Sequence, residues 1–155
     1  MAIDAAAGLK GGCQCGAVRY RLMGEPTGVS VCHCRMCQKA SGGPFMAFGG
    51  VRMSEFAVSR GVVSTFASSD IAERGFCGQC GTPLTYHRLG SDRVSVTLGS
   101  LDDPNAVEPA TQLGAESSVR WLPRALGAPE TSVEQWLARA KIQTVHNRQH
   151  PDQEA

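Results

Sequence analysis

The sequence predicts a mostly-β sheet architecture with one late, C-terminal helix, and three features of its 155 residues carry that expectation. Short segments alternate apolar and polar side chains, the period of a half-buried strand. Glycine-rich joints at Gly42-Gly43, Gly49-Gly50 and Gly90-Ser91 separate several of them. Only near the C-terminus does a long stretch switch to helical spacing.

Taken in order, residues 1–10 (MAIDAAAGLK) read as a flexible N-terminus and residues 11–148 as a single domain. AVRYRLMG (17–24) and RVSVTLGS (93–100) alternate most regularly. PFMAFGGV (44–51), FAVSRGVVSTF (56–66) and PLTYHRL (83–89) have similar length and composition. SLDDPNAVEP (100–109) is a turn-rich connection, with Asp and Asn beside Pro. A helix is predicted over about 131–148, where Val133, Trp136, Leu137 and Ala140 share one face and Thr131 with Glu134 offers a capping box. That stripe is expected to pack on the core. Residues 149–155 are expected to be a disordered tail.

The charge balance excludes one class of partner. Fifteen basic residues against fourteen acidic give a net charge of +1, which offers no stripe for nucleic-acid phosphates. The N-terminus lacks a basic start followed by an apolar run, and no segment approaches the roughly 18 apolar residues of a membrane span. A soluble, cytoplasmic chain with reduced thiols is the expectation.

Seven cysteines therefore call for metal or redox chemistry before disulfides. Cys13 and Cys15 form C-x-C, Cys32, Cys34 and Cys37 form C-x-C-x-x-C, and Cys77 and Cys80 form C-x-x-C. A glycine-bordered knuckle sets two thiolates on one side of a tight turn, and two such pairs close a tetrahedron. Cys13 and Cys15 with Cys77 and Cys80 are thus expected to hold a structural zinc. Cys32, Cys34 and Cys37 remain as a set of three, the pattern of a zinc with an open position. His33, or a residue elsewhere, is the alternative that would close it.

Charge counting narrows the chemistry of such a site. A divalent zinc with three thiolates is a net anion, a weaker Lewis acid than zinc held by neutral histidines, so water activation is not its natural task. The deaminase pattern, H-x-E followed by P-C-x-x-C, is absent from CHCRMC. A soft sulfur ligand suits the site better.

GGCQCGAVRY, CHCRMCQKASGG, FCGQCGTPL and GSLDDP, in this order and spacing, resemble the glutathione-dependent formaldehyde-activating enzymes, a family that shares its domain with centromere protein V. The likeness runs from about Gly11 to Trp121. It implies an Mss4-like fold with two zinc ions, partitioned as above, and carbon–sulfur lyase chemistry that joins glutathione and formaldehyde reversibly. Some members carry His where Gln112 stands and Pro where Arg120 stands, so the segment beyond Leu113 says little about substrate. Glutathione is anionic, which makes Arg35 and Lys39 candidate anchors beside the open site. His33 is the candidate for proton transfer, His87 a surface histidine, and Phe45 and Phe48 candidate pocket walls. A zinc-stapled binding module without catalysis is the rival reading.

Overall fold

The computed structural model describes residues 8–152, which form two sheets and three short helices. The smaller sheet is antiparallel, in the order β1 (Leu9–Gly12), β2 (Arg19–Leu22), β5 (Phe56–Arg60). The larger has seven strands: β10 (Thr111–Leu113), β3 (Thr27–Cys32), β4 (Met46–Arg52), β9 (Arg93–Thr97), β8 (Pro83–Arg88), β7 (Ala72–Cys77) and β6 (Val63–Ser69), in that spatial order. Every neighbouring pair is antiparallel except β10 on β3. The mostly-β class is as the sequence predicts.

Alternation builds the core. Tyr20 and Leu22 of β2 point inward while Arg21 between them is exposed, and Val94 and Val96 of β9 are buried beside Leu84 of β8. Val18, Val51, Leu98 and Leu101 complete this cluster, which also takes in Cys13 and Cys77. Burying a side chain such as Leu22 stabilises by about 1.5–3 kcal/mol. Two polar links tie the sheets at the same place. Buried Arg19 of β2 makes a bidentate pair with Asp102 beyond β9, and the Tyr20 hydroxyl meets Ser100 Oγ at 2.7 Å. Burial pushes the Tyr20 phenol well above its ordinary range, with the Asp102 charge adding to it against the Ser100 hydrogen bond.

The chain ends depart from the expectations. Strand β1 starts at Leu9, within the segment expected to be flexible, while residues 1–7 lie outside the described residues. The late helix, α3, covers only Val133–Arg139. Its capping box is shifted by one residue, with Ser132 Oγ accepting from the Gln135 amide and Gln135 Oε1 accepting from the Ser132 amide. Lys141 takes a left-handed conformation (φ 56°), and the amides of Lys141 and Ile142 fold back onto the carbonyls of Ala138 and Leu137. That Schellman closure stops the helix where the apolar spacing alone would continue it. Val133 and Trp136 stay exposed, so the stripe expected to pack on the core does not. His150, in the expected tail, instead docks: its amide donates to the Gln14 carbonyl at 2.7 Å and its ring lies over Gly16. Residues 153–155 of that tail lie outside the described residues.

Candidate metal centres and the cavity beside them

The first cluster is made by two hairpin turns. Cys13 and Cys15 sit between β1 and β2, Cys77 ends β7 and Cys80 lies in the turn to β8, and their four sulfurs all lie within 4.8 Å of one another. The site therefore joins the small sheet to the large one. Each turn closes through a left-handed glycine, Gly16 (φ 76°) and Gly81 (φ 77°), a conformation that L side chains adopt only with strain. Backbone amides turn toward the sulfurs as a knuckle requires: Val18 N–H to Cys13 Sγ at 3.2 Å and Gln79 N–H to Cys77 Sγ at 3.4 Å.

Two thiols of this cluster are shifted in opposite directions. Burial opposes ionisation of Cys80, but hydrogen bonds from Thr82 and Cys15 outweigh it and bring that thiol down to about 6. The Ala17 amide favours the Cys15 thiolate, yet burial and the sulfurs of Cys13, Cys80 and Cys77 push that thiol up to about 12. Four soft sulfur donors within 4.8 Å of one another are a set that fits a tetrahedral divalent cation.

The second cluster uses two periodicities in succession. Cys32 ends β3, and Cys34 is the residue before helix α1 (Arg35–Ser41), in whose first turn Cys37 lies. Positions i and i+2 of an extended chain share a face, and i and i+3 of a helix start share another, so C-x-C-x-x-C brings three sulfurs together. These too lie within 4.8 Å of one another. Burial and the sulfurs of Cys32 and Cys34 push Cys37 up to about 12, against the guanidinium of Arg74. Burial also acts on Cys34, but the amides of Cys37 and Met36 and the two neighbouring sulfurs lower its thiol. The donor set again fits a cation.

A cavity of about 290 Å³ opens beside this trio. Phe48 and Tyr86 form a wall, their rings 5.9 Å apart, and Met36, Ile71 and Leu113 also line it. The one arginine among the described lining residues, Arg74, is 8% exposed. Its Nη2 donates to Cys37 Sγ at 3.3 Å, its Nε to Ser68 Oγ at 3.0 Å, and its Nη1 approaches Met46 Sδ at 3.8 Å. The guanidinium also lies 5.2 Å from the centre of the Tyr86 ring, within cation–π range.

The candidate residues outside the cysteines fall differently. The alternation that gathers Cys32 and Cys34 turns His33 away: it is buried, its Nε2 meets Gln112 Oε1 at 2.9 Å, and its ring packs on the edge of Phe45. Arg35 is exposed and bonds Gln38 Oε1 at 3.2 Å, while Lys39 is exposed on the same short helix. His33, Arg35 and Lys39 are not among the described residues that line the cavity. Phe48 is a wall, as considered from the sequence, and Phe45 is not. His87 contacts Glu73 Oε1 at 3.4 Å and the Ser91 carbonyl at 3.0 Å. Arg74 was not legible beforehand, because AERGFC carries no motif and only the β7 register brings it to Cys37.

Similarity to known proteins agrees with this geometry. Residues 8–117 match the family described as glutathione-dependent formaldehyde-activating enzyme. An uncharacterized lyase of Schizosaccharomyces pombe is 36% identical over 77 residues, half of this chain and 56% of that protein. A Halomonas elongata protein, named provisionally as a glutathione-dependent formaldehyde-activating enzyme, is 26% identical over 153 residues, covering 87% of this chain and 98% of its own. The crystal structure of a Rhodobacter sphaeroides protein shares the fold, with a TM-score of 0.52 at 22% identity over 66% of this chain and 98% of that one. With its two cysteine clusters inside the matched span, the chain belongs to the glutathione-dependent formaldehyde-activating enzyme family.

Proposed function

We propose that this protein is a zinc-dependent carbon–sulfur lyase that makes or breaks the adduct of a small thiol, glutathione or a similar one, with an aldehyde. The observation that carries the proposal is the three-cysteine cluster opening on a cavity whose wall presents a buried guanidinium. Two zinc ions per chain are proposed: one held by Cys13, Cys15, Cys77 and Cys80, the other by Cys32, Cys34 and Cys37. Zinc at the second set would supply the cationic centre that keeps a thiol in its thiolate form near neutral pH.

The chain's own residues supply the rest. Arg74 offsets the negative charge that collects where three cysteine thiolates and a substrate thiolate meet. Phe48 and Tyr86 exclude water from one side. In the forward direction the substrate sulfur forms a bond to the aldehyde carbon, the carbonyl π pair moves to oxygen, and that oxygen takes a proton from solvent. The reverse step returns the proton, restores the carbonyl and releases the thiolate. His33 belongs to this proposal as a positioning group: Gln38 Nε2 holds its carbonyl at 2.7 Å, and Gln112 fixes its ring on the side turned away from Cys32 and Cys34. Arg35 and Lys39, outside the cavity, would act only on the solvent-facing end of a long thiol. A cytoplasmic setting, where low-molecular-weight thiols are abundant and reduced, fits this chemistry. Among the described residues no helix is long and apolar enough to cross a membrane.

The test is a glutathione titration of the cobalt-substituted protein, read by its thiolate-to-cobalt absorption. A saturable shift that is lost in Cys37→Ser supports the proposal, and adduct formation with formaldehyde should follow it. Bands that no thiol moves would refute it and favour a zinc-stapled binding module.

A further inference from the structure

We propose that the cavity beside Cys32, Cys34 and Cys37 takes a sulfur ligand, the thiol or its aldehyde adduct, whose body is an alkyl or aryl group. This deepens the lyase reading and rests on it for the adduct chemistry.

The lining decides the class. Phe48 is 8% exposed and faces Tyr86 across the inner wall, while Met36, Ile71 and Leu113 are each more than half exposed and line the same opening. These three come from helix α1, from the turn between β6 and β7, and from strand β10, so chain segments far apart in sequence converge to put apolar surface in one place. Exposed apolar side chains gathered around a concavity mark a ligand site rather than scattered surface.

Charge points the same way. Among the described lining residues Arg74 is the only cation and no carboxylate appears; the other polar side chains, cysteines aside, are serine and tyrosine hydroxyls. Glutathione brings two carboxylates and an ammonium. The cavity offers no anion for the ammonium, and its one guanidinium is already turned to Cys37, Ser68 and Met46. Arg35 and Lys39, which the sequence suggested as anchors, lie outside.

Size argues against a one-carbon occupant as the whole ligand. At about 290 Å³ the cavity approaches the roughly 300–1,000 Å³ range of sites that enclose drug-sized molecules. Formaldehyde, with its two heavy atoms, would leave most of it unfilled. An apolar group of six to ten heavy atoms, an estimate of roughly that order from the volume range, would lie against Phe48, Tyr86 and the rim, with its sulfur toward the three cysteines.

The experiment has two arms on the metal-loaded full chain. In the first, calorimetry measures the affinity of straight-chain thiols from ethanethiol to hexanethiol, with benzyl mercaptan and glutathione alongside. In the second, adduct formation with glutathione, and with the tightest-binding thiol of the first arm, is followed for formaldehyde, propanal and hexanal. Each buried methylene should improve affinity or second-order rate about fourfold, in the first arm if the thiol carries the apolar group and in the second if the aldehyde does. Ile71→Asn should flatten whichever slope appears. Flat profiles in both arms overturn the inference, and formaldehyde turnover alongside them would leave the lyase reading standing. A rising thiol series with no adduct formed from any aldehyde supports the apolar cavity and removes the lyase reading instead.

Discussion

Replacing Arg74 by Met removes the one cation among the described lining residues of the cavity while keeping much of the apolar volume of the side chain. Arg74 is 8% exposed and its Nη2 lies 3.3 Å from Cys37 Sγ, so its bond to an ionised sulfur is poorly screened. Hydrogen bonds to charged groups contribute about 1.5–3 kcal/mol. The bare Coulomb attraction at this separation, with an effective dielectric near 20, is about 4–5 kcal/mol and sets the ceiling. At about 1.4 kcal/mol per decade the three-cysteine site should bind zinc roughly 10- to 150-fold more weakly in Arg74→Met. The loss concerns one site only. Competition with a chromophoric chelator should resolve a tight phase from the four-cysteine site and a weaker phase from the trio. The variant should move the weaker phase alone, and Arg74→Lys should restore part of it. Two phases that shift together would mean that the substitution damages the fold, and two that stay put would mean that the guanidinium does not support the metal; either result would sink the role given to Arg74.

Three further outcomes are expected. Cys77→Ser should lose folded, soluble protein as well as one equivalent of zinc, because structural zinc contributes roughly 10–16 kcal/mol in small domains, comparable to a whole domain's net stability; Cys37→Ser should lose one equivalent with its circular dichroism little changed. Stability should fall at alkaline pH through Tyr20: its folded pKa lies above the unfolded value of about 10, so its contribution is complete below that pH and is lost as pH rises beyond it. Melting curves of Tyr20→Phe should show a shallower alkaline decline at the cost of the Ser100 hydrogen bond. Gly16→Ala should lower the melting temperature by about 3–8 °C, from about 1–2 kcal/mol of left-handed strain plus contact with the His150 ring; an unchanged melt would mean that the first knuckle tolerates rearrangement.

The cysteines were legible because their information is local. C-x-C at a strand end and C-x-x-C at a helix start fix the directions of neighbouring sulfurs within a few residues, whatever the rest of the chain does. The same logic explains His33, which the strand period places opposite the two cysteines that flank it. Strand β7 was illegible: AERGFC sets a glycine and two charges among its apolar residues, and the chain is held there by pairing on both sides. Arg74 followed β7 into obscurity, since what makes it important is a contact 37 positions away in sequence. The late helix failed for a related reason. Its apolar spacing is real, but spacing names a face without naming what covers it, and Val133 and Trp136 meet no core.

The two cysteine clusters differ most in how much chain they enclose, and this sets an order of assembly. Cys32, Cys34 and Cys37 span six positions, so an extended chain fresh from synthesis can already wrap them around an ion at little entropic cost. Cys15 and Cys77 are 62 positions apart and meet only when the hairpins of two sheets have been brought side by side. On the two-zinc proposal, the trio would be the early collector and the quartet the late clasp. A newly made chain short of metal that spends its first ion on the trio would then still lack the metal link between its sheets, and the supply of the second ion would govern how much of the protein reaches its finished form.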